Sequence, residues 1–303
     1  MRNPFAAPAV GRSVIAMQMN WLTKIARGQD GAIYNGYLFR FQLDGSCHVY
    51  DLENLKPTAA CCYQKALCVF DLDKTDGIVP HSNSVCFGTE YYVAGDEFPL
   101  LYSNVYNNYA CQEDQRKGMC CVYRVHREGN RFWTTLVQVI RISFTEDTAY
   151  WCSPDRSDAR PYGNFVVDQN SNSLLVLNMI DRLKIIRYFD FDLPRARDGV
   201  MDTLLGVPVV TLTQAHIRDQ FDCPYQNYIQ GVCCHNGVIY SLEGLAKCPE
   251  AHAVALISVE QKKELHRASF FEQGLTVEPE LIDFKGDICY YADNFGNLYT
   301  LEF

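Results

Sequence analysis

An all-β fold assembled from a recurring unit of short strands is the class this sequence predicts, and three observations carry it. Aromatic residues make up 13% of the 303-residue chain, and long apolar patterns with a 3.6-residue period are scarce, which favours strands over helices. The first well-patterned stretch and the last share one outline. In the early copy Asn35-Gly36 leads into Tyr37, Leu38, Phe39, Arg40 and Phe41, and Asp44-Gly45 then turns the chain into Cys47, His48, Val49 and Tyr50. In the late copy Lys285-Gly286 leads into Ile288, Cys289, Tyr290 and Tyr291, and Phe295-Gly296 turns it into Leu298, Tyr299, Thr300 and Leu301. Short apolar runs separated by glycine-bearing turns read as antiparallel hairpins, and their recurrence reads as a repeat architecture.

Taken in order, five units occupy 30–75, 81–144, 160–213, 227–271 and 276–303. The first offers strands at Ile33 and Tyr34, 37–41, 47–52 and 66–72. The second offers 85–87, 91–93, 100–102, 121–125 and the long apolar run 136–144, interrupted by a polar insertion at 104–118 that carries Tyr106 and Tyr109. The third offers 163–168, 174–179, 183–191 and 207–212, and the fourth 229–234, 238–242, 253–259 and 264–270. The fifth supplies three strands before the chain stops, so a strand within 13–27 is expected to complete it and close a ring. Several such units in radial repetition make a single β-propeller domain over 1–303. Five blades are expected, or six if 146–160 adds a strand; a two-sheet sandwich with long insertions is the structural alternative.

The last two units, QGVCCHNGVIYSLEG and DFKGDICYYADNFGNLYTLEF, resemble β-propeller blades of the quinoprotein-like and Kelch-like kind. The resemblance spans about residues 30–303 and implies a fold without naming a specific family, since no Trp-Asp dipeptide closes a blade and no paired glycines recur.

The formal net charge of -9 opposes a phosphate-tracking surface and excludes nucleic acid as an expected partner. No apolar run approaches the length of a membrane helix, and Pro8, Gly11, Arg12 and Ser13 interrupt the N-terminal segment where a signal peptide would need its apolar core. The expectation is a soluble, cytoplasmic chain with no membrane partner, or else a mature secreted form. The 14 cysteines include no C-x-x-C; three adjacent doublets stand instead, Cys61-Cys62, Cys120-Cys121 and Cys233-Cys234. On a strand such neighbours face opposite ways, so small buried thiols between sheets are expected rather than metal ligands.

In a propeller the first strand of each blade lines the central channel, so polar residues near its start gather at one mouth. Here these are Gln29 and Asp30, His81 and Asn83, Arg160, Tyr162 and Asn164, Tyr228 and Gln230, and Glu278 and Glu280. Convergent polar groups in a concavity define the default binding site. Glu278 and Glu280, two residues apart, face the same way on a strand and could hold a cation, share a proton or receive an arginine.

Three functions follow. The first is binding of a small polar ligand, a saccharide, through these amides and carboxyls with Tyr162 and Tyr228 as stacking faces. The second is a hydrolase or lyase acting on a sugar or lactone, with Glu280, Glu278 or His81 as catalytic candidates and calcium held by Glu280, Asn83 and Asn164. For glycoside hydrolysis the carboxyl pair to check is Glu280 with Asp30 or Asp168. The third is a scaffold that meets a protein partner through 104–118.

Overall fold

The computed structural model describes residues 17–59, 61–73, 78, 80–105, 118–142, 159–180 and 183–303, with the backbone alone at 159–163. The chain enters through β1 (Gln18–Lys24) and builds a first antiparallel sheet from β2 (Gly31–Tyr34), β3 (Tyr37–Phe41), β4 (Ser46–Asp51) and β5 (Cys68–Asp71). The second sheet holds β6 (Val85–Phe87), β7 (Leu101–Asn104), β8 (Met119–Glu128) and β9 (Arg131–Ile142). A third opens with β10 (Ala159–Asp168), β11 (Ser173–Ile180) and β12 (Ile185–Asp192); the hairpin β13 (Val200–Met201) and β14 (Pro208–Leu212) then precedes β15 (Ile217–Pro224). The fourth sheet is β16 (Ile229–His235), β17 (Val238–Glu243), β18 (Ala253–Ser258) and β19 (Lys263–Ser269). The fifth is β20 (Pro279–Lys285), β21 (Ile288–Asp293) and β22 (Asn297–Glu302), to which β1 adds the outermost strand. The molecule is a five-bladed β-propeller whose ring is closed by its N-terminal strand, with Gln18 opposite Glu302 and Lys24 opposite Asn297.

Each blade is buried on both faces by its neighbours, so alternate residues of one strand enter different cores. In β11 all eight residues are buried: Leu174 and Val176 pack between blades two and three, Leu175 and Leu177 between three and four. Cys120 and Cys121 divide in the same way on β8, as do Cys233 and Cys234 on β16. The thiols of these doublets do fill gaps between sheets.

Three strand assignments differ from the sequence reading. Residues 91–93 form turns rather than a strand, with the Tyr92 ring facing the Arg124 and Arg197 guanidiniums. The run 207–212 leaves the third blade: β14 pairs in parallel with β9, Val209 opposite Val139, and extends the second blade. The true fourth strand of the third blade is β15, whose alternating charges obscured it. Charges suit an outer edge, and here Arg187 pairs with Asp222 (2.8 Å) while Arg218 reaches Asp190 and Asp192 (both 2.7 Å). Of the stretch 146–160 considered for a sixth blade, 146–158 lies outside the described residues and 159–160 begins β10.

With only five blades the inner strands β2, β6, β10, β16 and β20 come close enough for side chains of one to bond the backbone of another. The Val85 and Val232 N–H groups both donate to Asp30 Oδ2 (3.1 and 3.4 Å), the Ile33 N–H donates to Asp283 Oδ2 (2.6 Å), and the Phe165 N–H donates to Ser84 Oγ (3.0 Å). Between blades four and five the approach is backbone to backbone: a Cβ on Gly231 would lie 2.3 Å from the Glu280 carbonyl oxygen. Gly231→Ala is therefore expected to force β16 from β20 and cost about 1–3 kcal/mol, measured by urea unfolding; unchanged stability would mean that the two strands have room to part.

Candidate ligand site at the channel mouth

Successive strands of a blade run in opposite directions, so the turn between its second and third strands returns to the end where the first strand began. Two sets of residues therefore meet at that mouth. From the inner strands and the residues before them come Gln29, His81, Asn83, Asn164, Tyr228, Gln230, Glu278 and Glu280, and from the returning ends come Leu43, Met179, Leu245 and Asn294. They enclose a cleft of about 310 Å³. The first set is the one expected from the sequence. The second was missed, although the rule that finds it is topological: Leu43 lies beside the Asp44-Gly45 turn and Asn294 beside Phe295-Gly296.

Asn294 joins the two carboxyls. Its Nδ2 donates to Glu278 Oε2 (3.4 Å) and Glu280 Oε1 (3.1 Å), and its backbone N–H donates to the Glu278 carbonyl (2.8 Å). Gln230 Nε2 donates to Glu278 Oε1 (2.7 Å) and Gln29 Nε2 to Glu280 Oε1 (3.4 Å). Across the cleft Asn164 Nδ2 donates to the Asn83 carbonyl (3.2 Å), and Asn83 Oδ1 accepts from Asn104. Two buried polar atoms of the cleft residues, Asn164 Oδ1 and Glu280 Oε2, have no partner among the described residues. A buried polar atom left unpaired is costly, so both are disposed to bond a ligand or water.

The sequence reading also missed what lies behind the cleft. Arg40 is fully buried, and its Nη2 donates to the Gly28 and Asp293 carbonyls (both 2.8 Å). The charges of Glu280, Asp30 and Asp293 act on this guanidinium and offset part of the cost of its burial. Burial nevertheless dominates and pushes the Glu280 carboxyl well above its usual range, against the pull of Arg40 and with added repulsion from Glu278 and Asp30. The neutral acid is thereby favoured. His81 is pushed down to about 4 by burial, so it stands at the mouth as a neutral imidazole.

Asp30 does not line the cleft; it is enclosed at the ring axis, where its Oδ2 accepts N–H groups of two neighbouring strands. Asp168 sits at the far end of β10, where Oδ1 accepts the Asn170 N–H (3.0 Å) and Oδ2 accepts from Ser171 Oγ (2.6 Å). The carboxyl pair at the mouth is thus Glu278 with Glu280. Arg160 and Tyr162 fall on β10 where only backbone is described, and within 104–118 the residues 106–117 lie outside the described ones. Calcium fits the residues present poorly. Asn83 already gives its side-chain oxygen to Asn104, and among the described residues no three His, Cys, Asp or Glu side chains are grouped to hold a metal. Among those residues no helix is long and apolar enough to cross a membrane.

The opposite mouth is wider, about 530 Å³, and is lined by Cys86, Cys233, Cys234, His235 and Asp283 among others. Burial among the inner strands pushes the Asp283 carboxyl up to about 7, in spite of the Ile33 and Phe284 N–H groups that it accepts.

No family model and no curated protein sequence matches this chain. Among solved structures, the glutaminyl cyclase of Myxococcus xanthus superposes with a TM-score of 0.50 over 94% of each chain at 10% identity. A computationally designed protein, Ika8, and Sqt1 of Saccharomyces cerevisiae are more distant, each with a TM-score of 0.35 at 9% and 10% identity; they match 93% and 88% of this chain and 99% and 55% of their own. The likeness to the cyclase supports the propeller fold, and at this identity it extends no further.

Two outcomes are expected. Arg40→Ala should cost about 3–5 kcal/mol, because the buried Gly28 and Asp293 carbonyls would lose their donor and the nearby carboxyls a compensating cation; Arg40→Lys should recover only part, since one ammonium reproduces the guanidinium fork poorly. Denaturant unfolding checks both, and a fully stable alanine variant would refute the role. Asp283 has its folded value raised from 3.8 to about 7, so the native state keeps a proton that the unfolded chain has released. Its contribution is complete below pH ~4 and declines as pH rises to ~7. Wild-type stability minus that of Asp283→Asn should fall across this window and level off above it.

Proposed function

We propose that this propeller binds a small hydroxyl-rich ligand, a saccharide, at the amide-lined mouth. The observation that carries the reading is the pair of buried polar atoms, Asn164 Oδ1 and Glu280 Oε2, left without a partner among the described residues, beside a cleft of about 310 Å³. Sugar hydroxyls both donate and accept, and the mouth offers both: amide N–H groups, amide oxygens, a neutral imidazole and a carboxyl that favours its protonated form. Among the described residues lining the cleft there is no Lys or Arg, which disfavours an anionic ligand. Leu43, Met179, Ile229, Leu245 and Tyr228 supply apolar surface for the faces of a sugar ring.

The state of Glu280 favours a second reading, an enzyme at the same mouth. A carboxyl kept neutral by burial can act as a general acid, with Glu278 as the second carboxyl and a sugar or lactone as substrate. The Myxococcus xanthus neighbour is itself an enzyme, a glutaminyl cyclase.

Calorimetry against a panel of mono- and oligosaccharides tests the first reading, and turnover assays on glycosides, lactones and a glutaminyl cyclase substrate test the second. Asn164→Leu should weaken binding roughly tenfold through loss of one buried hydrogen bond. Glu280→Gln, which still donates and accepts, should keep affinity within about threefold while abolishing any acid-dependent turnover. A panel that shows no binding, or an Asn164→Leu variant that binds as well as the parent, would sink the saccharide reading.

A further inference from the structure

One cysteine doublet does not follow the others. Cys120-Cys121 and Cys233-Cys234 lie on strands, where their side chains enter separate cores. Cys61 and Cys62 lie in the connection between β4 and β5, in a turn closed by the Cys62 N–H on the Ala59 carbonyl (2.8 Å). The alternation that separates neighbours on a strand does not operate there, and the two Sγ atoms stand 3.8 Å apart. Among the twelve cysteines described, these two are the fully exposed ones; the rest are buried or half-buried.

The surrounding chain makes this position consequential. The same connection lies across β1, the strand that closes the ring. Thr23 Oγ1 donates to the Lys56 carbonyl (3.0 Å) and meets Thr58 Oγ1 (3.0 Å), the Lys24 N–H donates to Thr58 Oγ1 (3.3 Å), and the Gln64 N–H donates to the Lys24 carbonyl (2.6 Å). Lys24 Nζ also sits 4.9 Å from the centre of the Tyr63 ring. The thiol pair therefore falls between the two points, Thr58 and Gln64, at which the connection grips the closing strand.

We propose that Cys61 and Cys62 form a two-thiol capture site for soft, thiophilic centres of the trivalent arsenical class, beside the points at which the connection grips β1. Two bonds of roughly 2.3 Å, the length thiolates make to a soft centre, span the sulfur separation without moving the backbone far. A disulfide between the pair is disfavoured: adjacent Cα atoms stand ~3.8 Å apart across a trans peptide, whereas disulfides usually need about 4.4 Å or more. With an arsenoxide, each sulfur gives up its proton, both protons leave with the arsenic-bound oxygen as water, and two arsenic–sulfur bonds form without change of oxidation state. A second sulfur on the same turn holds the centre far more tightly than one sulfur alone, because it acts at high effective concentration.

The test uses phenylarsine oxide on the full chain, read by intact mass in excess monothiol, which strips single-sulfur adducts, and then in excess dithiol. One equivalent should survive the monothiol and leave with the dithiol. Cys61→Ser and Cys62→Ser should each weaken retention roughly a hundredfold, while Cys68→Ser should retain the label. Undiminished retention in both serine variants would place the capture at other cysteines and overturn the site. Both serine variants should otherwise melt as the parent does, since the replaced thiols face solvent.

Discussion

The carboxyl of Asp30 is the contact on which this structure turns. In this ring of five blades the inner strands lie within hydrogen-bonding reach of one another, and buried backbone N–H groups there must find partners. Asp30 answers two of them, Val85 from the second blade and Val232 from the fourth, while its own backbone bonds Ser82 and Phe41. Asp283 and Ser84 do the same work between other pairs of blades. Burying carboxyls in this way is expensive, and the charge of Arg40 offsets part of that cost for Asp30, Glu280 and Asp293.

The chemistry of the mouth is a by-product of that axis. Glu280 carries two duties: its backbone carbonyl touches Gly231 where blades four and five meet, and its side chain faces the cleft. The burial that the narrow ring imposes raises its carboxyl, and Arg40 behind it moderates the rise. A wider propeller would have wetted this residue and left it an ordinary carboxylate. The same closeness gives the cleft its small size and its amide-rich wall.

The strand alternation of the blades, the closing strand and half of the mouth were legible in the sequence, because period-two patterning and glycine turns are local signals. What escaped reading depended on who faces whom. Arg40 looked like one more residue in an aromatic strand, and nothing local announces that it is buried where the charges of three carboxyls act on it. Asn294 looked like part of a turn, and its place at the mouth follows only once strand direction is tracked through the blade. β15 was hidden because its charges pair with β12 across the sheet, and β14 because an apolar run after three strands of a blade reads naturally as the fourth.

The inserted hairpin β13–β14 has a bearing on how the chain assembles during synthesis. Blade two has its antiparallel strands in hand once β9 emerges, yet the edge of β9 stays uncovered until β14 is made, after three strands of the next blade. Blade three in turn receives β15 only after that hairpin has departed to its neighbour. The two blades therefore mature together, and β1, which precedes all the other described strands, waits for β22 before it has a sheet to join. A nascent chain released early would thus present at least two open strand edges, and a ribosome that stalls between β12 and β14 would leave the longest of them, that of β9, exposed.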